Sequence, residues 1–286
     1  MFASGLVPWR FRSRHNFVKA HANYFFGFIR KTPPVACQVD ADVEAHVLVC
    51  QRDLNMCLLA AKSFLVQVPK VALVVHEDGT LDASGRELLA RHLPGARVIS
   101  REEADRSLVQ HLPARVADAR SKSVWLMKVF DFNHFNAGRR TILLDSDLVF
   151  RAAPDEVLAW VGGDDARVFY NPDPMKDTYR AERRPMHPVP DWFNSGFLGY
   201  RHRITLAETV AGIQEMDYWL EDQTVYAYLL AGQASQALDA ARYHVYQGGA
   251  VPESARMVHF ISPDRFTDMT YVKVGREASE RIKRAS

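Results

Sequence analysis

The run Thr141-Ile142-Leu143-Leu144-Asp145-Ser146-Asp147-Leu148-Val149-Phe150 constrains the fold most. Four apolar or β-branched residues lead straight into two carboxylates, and three apolar residues follow. An unbroken apolar run suits a strand buried on both faces of a parallel sheet. Such a strand ends at the carboxyl edge of the sheet, where open α/β folds bind ligands. In an extended segment Asp145 and Asp147 point to one side and Ser146 to the other. Two acidic oxygen ligands on one side make half a site for a hard divalent cation. A plain surface turn is the competing reading, because Asp-x-Asp is short and common.

The flanking sequence predicts the layers around this strand. Residues 46–50 and 71–75 read as core strands, and 97–100 as a short third. Leu54, Cys57, Leu58, Ala61 and Leu65 fall at helical spacing before Pro69. Leu88, Leu89 and His92 mark another helix, closed by Pro94-Gly95. Residues 101–120 read as helix then loop, and Val124 to Phe135 as a helix. A helix then starts at Pro154-Asp155-Glu156, and strands follow at 167–170 and 197–200. Helices at 206–219 and 224–230 and a strand at 257–260 close the order. Alternating strands and helices predict an α/β fold, a Rossmann-like, mostly parallel sheet flanked by helices. The segment 171–191 holds five prolines and several charges, which marks a functional loop.

Composition excludes several function classes. Hydrophobic residues are 48% and charged residues 24%, as in a soluble globular chain. A net charge of +2 gives no strong field for nucleic acid. Cys37, Cys50 and Cys57 are odd in number and lack metal-type spacing, which suits a reducing, cytoplasmic compartment. No apolar run reaches transmembrane length, and no signal-peptide layout is visible. The expected divisions are a basic and aromatic segment with its linker at 1–40, a main domain at 41–270 and a tail at 271–286. The tail from 277 onward reads as a solvated basic helix end. In the first segment Phe17, Tyr24 and Phe28 share a helical face among Arg10, Arg12, Arg14, Lys19, Arg30 and Lys31. That pattern fits either a contact with the cytoplasmic face of an anionic membrane or a helix packed on the main domain.

The order of motifs carries a resemblance. It runs from a strand plus amphipathic helix, through a helix with Lys128, to Asp145-Ser146-Asp147. Phe193-Asn194-Ser195-Gly196, Asp222-Gln223 and Val258-His259-Phe260 complete it. Over about residues 46 to 265 this resembles the family-eight glycosyltransferases of the glycogenin and bacterial lipopolysaccharide-galactosyltransferase type. The resemblance implies the GT-A fold, a nucleotide-sugar donor (a UDP-sugar) and transfer with retention. It implies a cation on Asp145, Asp147 and His259, and an imidazole ligand favours Mn²⁺ over Mg²⁺. A cation there offsets the charge that builds on a departing diphosphate. The resemblance places Asp53, Lys128, Ser146, Asn194, Ser195 and Gly196 on the donor, and Asp222 and Gln223 at the anomeric face as catalytic residues. The acceptor, whether glycan, lipid-linked or protein, stays unnamed.

Each residue also has a bland reading. Asp53 could be a helix N-cap, Lys128 a solvated helix lysine, and His259 a strand-end histidine bonded to backbone. Asn194 to Gly196 could be a plain strand entry, and Asp222 an acid favoured at a helix start. The chain departs from the family after the histidine, where Ile261-Ser-Pro-Asp-Arg265 replaces a glycine and a lysine group; Arg265 is the candidate diphosphate clamp. The first strand ends in an unusual Cys50-Gln-Arg-Asp53. Two other functions fit parts of the chain. Asp145-Ser-Asp-Leu-Val149 matches the nucleophile motif of haloacid-dehalogenase-like phosphatases, with Asp145 attacking phosphorus. That motif belongs on a first strand, yet half the chain precedes it here. A non-catalytic carbohydrate-binding relative is the third reading.

Overall fold

A computed structural model describes residues 9–174, 193–215, 222–262 and 264–285. Most of the loop expected at 171–191, and Glu221 ahead of Asp222, lie outside the described residues. The chain begins with helices α1 (Trp9–Ala20) and α2 (Ala22–Phe25). Then come β1 (Val43–Val49), α3 (Leu54–Gln67), β2 (Ala72–Glu77), α4 (Ala83–His92) and β3 (Arg97–Ile99). Three helices follow: α5 (Arg101–Leu108), α6 (Ala114–Lys122) and α7 (Val124–Phe135). Next are β4 (Arg140–Leu144), β5 (Leu148–Phe150), α8 (Asp155–Gly162), β6 (Val168–Pro172) and β7 (Phe193–Tyr200). The last elements are α9 (Leu206–Glu215), α10 (Asp222–Leu229), β8 (Ser235–Ala237), β9 (Tyr243–Val245), β10 (Met257–His259) and α11 (Thr270–Ala285).

Among the described residues seven strands form the main sheet, in the order β3-β2-β1-β4-β7-β6-β8. All run in one direction except β7, which is antiparallel to both its neighbours. The apolar run of β4 is explained by burial on both faces. Ile142 and Leu144 join the core beneath α3, while Leu143 joins the core beneath α7 and α10. The two faces therefore need apolar side chains at every position rather than at alternate ones.

The second half of the run does something the sequence did not predict. The chain leaves the main sheet after Leu144, turns at Ser146 and Asp147, and enters a second sheet as β5. That sheet has the order β5-β10-β9, with β10 antiparallel to β5. Asp145 and Asp147 thus lie at and in a turn rather than along an extended segment. Their shared direction comes from the turn, not from strand alternation.

The residues before the Pro33-Pro34 break contribute to the main core. Val18, Ala22, Phe26 and Ile29 are buried in the cluster that includes α3 and α11. Phe17 and Tyr24, by contrast, stay 57% and 83% exposed. The expected shared face is therefore split between core and solvent. The tail differs in the same way: α11 buries Tyr271, Ala278 and Ile282, so its basic end is solvated on one side only. The region 101–120 holds two helices rather than a helix and a loop. Arg120 explains the second, since it is buried and forked onto Asp131 of α7 at 2.8 and 2.9 Å.

Candidate active site

Asp145, Asp147 and His259 meet at the break between the two sheets. The backbone fixes the turn from both sides. The Asp145 amide donates to Gly196 O of β7 (2.8 Å), and the Phe260 amide donates to Asp147 O (3.1 Å). One ligand atom from each of the three side chains lies within 4.8 Å of the others. His259 Nε2 is 3.1 Å from Asp147 Oδ1 and 3.6 Å from Asp145 Oδ2. The other two carboxylate oxygens are taken. Lys128 Nζ donates to Asp145 Oδ1 (2.7 Å), and Arg265 pairs with Asp147 Oδ2. Asp147 Oδ1 is buried and has no hydrogen-bond partner among the described residues. Buried polar atoms are normally satisfied, so this orphan calls for an explanation. Two carboxylate oxygens and an imidazole nitrogen, facing one another and otherwise unclaimed, fit a divalent cation.

Gly196 is part of that site for steric reasons. A Cβ there would stand 2.7 Å from Asp145 Oδ2 and 2.9 Å from His259 Nε2. The backbone at Gly196 is thus packed directly against the two candidate ligands. No larger residue leaves them room.

Lys128 links this cluster to a second one. Its ammonium is 2.7 Å from Asp145 and 2.6 Å from Asp222, and it is nearly buried. It is therefore no solvated helix lysine. Burial works against its charge, but the two carboxylates outweigh burial and raise its pKa above the ordinary lysine value. Burial likewise works against ionised Asp145. Lys128 and His259 beside it hold its carboxyl well below the usual range. Ser195 Oγ donates to Asp222 Oδ2 (2.9 Å), so β7 and α10 are joined at the same point.

Gln223 and Asn194 converge on a residue the sequence reading missed. Gln223 Nε2 donates to Asp173 Oδ2 (3.0 Å), and Asn194 Nδ2 donates to the same oxygen (3.3 Å). Asn194 Oδ1 accepts from the Gly196 amide (2.8 Å). Asp173 follows β6 just as Asp145 follows β4. The signal was an acid at the end of an apolar strand, hidden by the neighbouring prolines.

Ser146 is half-buried in the turn. Arg265 Nε donates to Phe260 O (2.7 Å), so its guanidinium is fixed while it holds Asp147. Asp53 occupies the N-cap position of α3, as the competing reading had it, but its side chain makes no capping bond. Its carboxylate is forked onto Arg52 instead. Burial would raise its pKa, but Arg52 and, further off, Arg265 lower it.

No protein-family model matches the sequence, and neither does any curated protein sequence. Solved structures do match. Galactosyltransferase LgtC, in complex with donor and acceptor sugar analogues, is 12% identical with a TM-score of 0.56, covering 83% of this chain and 95% of its own. Mouse xyloside xylosyltransferase 1 is 14% identical with a TM-score of 0.50, covering 81% of this chain and 99% of its own. Glycosyltransferase GlyE of Streptococcus pneumoniae is 13% identical with a TM-score of 0.51, covering 84% and 62%. The chain has the GT-A fold. In GT-A terms the cluster of Asp145, Asp147 and His259 lies where β4 leaves the main sheet, at its carboxyl edge. Lys128, Asp222 and Ser195 adjoin it, and Asp173, Asn194 and Gln223 form the neighbouring polar group.

Proposed function

We propose that the protein is a metal-dependent glycosyltransferase that moves a sugar from a nucleotide-sugar donor, a UDP-sugar, to an acceptor with retention. One observation carries the reading: the unclaimed oxygens of Asp145 and Asp147 and the His259 nitrogen face one another at the carboxyl edge of a GT-A sheet. A cation bound there, Mn²⁺ in preference to Mg²⁺, would offset charge on the departing diphosphate. The protein's own groups do the rest. Lys128 keeps a fixed positive charge beside the leaving group and holds Asp145 and Asp222 in register. Asp53, Ser146 and Arg265 bound the nucleotide end. Asn194, Ser195 and Gly196 frame the sugar.

Asp222 and Gln223 occupy the anomeric-face role. A neutral amide is a poor covalent nucleophile, so Gln223 steadies positive charge on the sugar ring instead. The phosphatase reading is less well supported, because Asp145 is pinned by Lys128 on one oxygen and faces His259 with the other. The test is a panel of UDP-sugars with Mn²⁺ or with chelator. At least one donor should be cleaved slowly to UDP with Mn²⁺ and not with chelator. An aspartyl-phosphate trapped on Asp145 would favour the phosphatase instead.

Two properties of location belong to the same proposal. The three cysteines are free thiols, in keeping with a reducing cytoplasm. Among the described residues no helix is long and apolar enough to cross a membrane. The exposed rings of Phe17 and Tyr24, among exposed Arg10, Arg12, Arg30 and Lys31, would rest on an anionic membrane surface. A Phe17→Ser, Tyr24→Ser double variant should sediment less with anionic vesicles at low salt than the parent protein. Equal sedimentation would sink the membrane contact. Deleting the whole segment is a poor test, because Val18, Phe26 and Ile29 are core residues.

A further inference from the structure

The residues before β1 reach the nucleotide end of the proposed site by two separate routes. The first runs through Asn23, just after the start of α2. Its Oδ1 accepts from the Asn55 amide (3.0 Å), and its Nδ2 donates to Gln51 O (2.6 Å). Asn55 answers with its own amide, donating to Asn23 O (2.6 Å), and its Oδ1 accepts from Arg30 Nε (2.9 Å). Asn55 is completely buried and is the second residue of α3.

The N–H at that position is the one a helix's own N-cap side chain normally satisfies. The N-cap of α3 is Asp53, and its carboxylate makes no such bond. Asn23, thirty positions upstream, supplies the cap in its place. Asp53 is thereby released from the task its position would give it. Its carboxylate is forked onto Arg52, within the electrostatic reach of Arg265.

The second route is aromatic. His15 of α1 packs on Phe266 with ring centroids 5.6 Å apart, and Arg14 donates to Thr267 O (3.3 Å). Phe26 packs on Tyr271 (4.5 Å), and Tyr271 stacks on Phe260 (4.2 Å). Phe266 and Phe260 are the chain neighbours of Arg265 and His259. One N-terminal segment thus touches two of the turns that bound the nucleotide end, the Gln51–Asp53 turn and the turn around Arg265.

We propose that the N-terminal helices are a brace for donor binding, in which Asn23 is a positioning residue that caps α3 from outside, so that the Asp53 carboxylate is held for the nucleotide by Arg52 and not drawn onto its own helix. The proposal rests on the donor reading above, in so far as it concerns the nucleotide. It also makes a ligand-free claim about α3, and the two can fail separately.

The experiment uses the full chain as parent, Asn23→Ala, and the near-isosteric Asn23→Leu should the alanine variant not fold. Three quantities are read: hydrogen exchange at the Asn55 amide without ligand, Mn²⁺ binding alone, and UDP binding with Mn²⁺. The variant should exchange Asn55 faster, bind Mn²⁺ as the parent does, and bind UDP roughly fivefold more weakly, the size of one lost cap. A general loss of structure would weaken Mn²⁺ binding too, because the ligands come from two sheets. Unchanged exchange at Asn55, or UDP binding equal to the parent's, overturns the brace. A parent protein that binds no UDP overturns the donor reading, and the exchange result then still decides the cap.

Discussion

Asp147→Ala should remove Mn²⁺-dependent UDP binding, with a fall in metal affinity of at least about 100-fold. Disturbing only the groups that orient a ligand already costs 10- to 100-fold, and here a charged ligand itself is lost. Asp147 is 4% exposed, and it is the partner of Arg265. The alanine variant therefore also leaves a guanidinium short of a partner, at a stability cost of about 1–3 kcal/mol. Asp147→Asn separates the two effects. It keeps the shape and an oxygen but loses the charge, so it should fold as the parent does and still bind Mn²⁺ poorly. Titration of Mn²⁺ followed by electron paramagnetic resonance, with thermal melts of each variant, checks both statements. Normal metal binding by the asparagine variant would show that Asp147 is no ligand.

Gln223→Ala should lower turnover about 100-fold while leaving donor KM within a few-fold of the parent value. A contact that strengthens only as charge develops on the sugar contributes to the transition state and little to ground-state binding. The structure adds a reason for the contact to be well aimed. One N–H of the Gln223 amide is held by Asp173, which orients the side chain so that its carbonyl oxygen is the atom left to meet positive charge among the described residues. Asp173→Asn should reproduce part of the loss by loosening that orientation. A Gln223 variant whose KM rises while turnover holds would mean that the residue binds substrate and has no special part in the reaction.

The layers were legible because burial on both faces leaves a continuous apolar signature, as in Ile142, Leu143 and Leu144. The meeting of Asp145, Asp147 and His259 was legible because a carboxylate at a strand end and a histidine at another strand end are both chemical and positional signals. What was not legible depends on contacts far apart in the chain. The turn at Ser146 is imposed by backbone bonds from Gly196 and Phe260, which no local pattern encodes. Lys128 was picked out by the resemblance, whereas its burial rests on Asp145 and Asp222 together, both far from it in the chain. Asn23 carries no cap signal, since caps are sought next to their own helix. The phenylalanines of the N-terminal segment show the same limit. Phe17 and Phe26 look alike in sequence, yet one is solvent-facing and the other lies in the core.

The most direct test of the account is proton NMR of the product first released from an α-linked UDP-sugar by the parent protein with Mn²⁺. The account predicts release of UDP together with an α-configured sugar, abolished by chelator and by Asp147→Asn. A β-configured first product, or release of UDP that persists without metal, would contradict it.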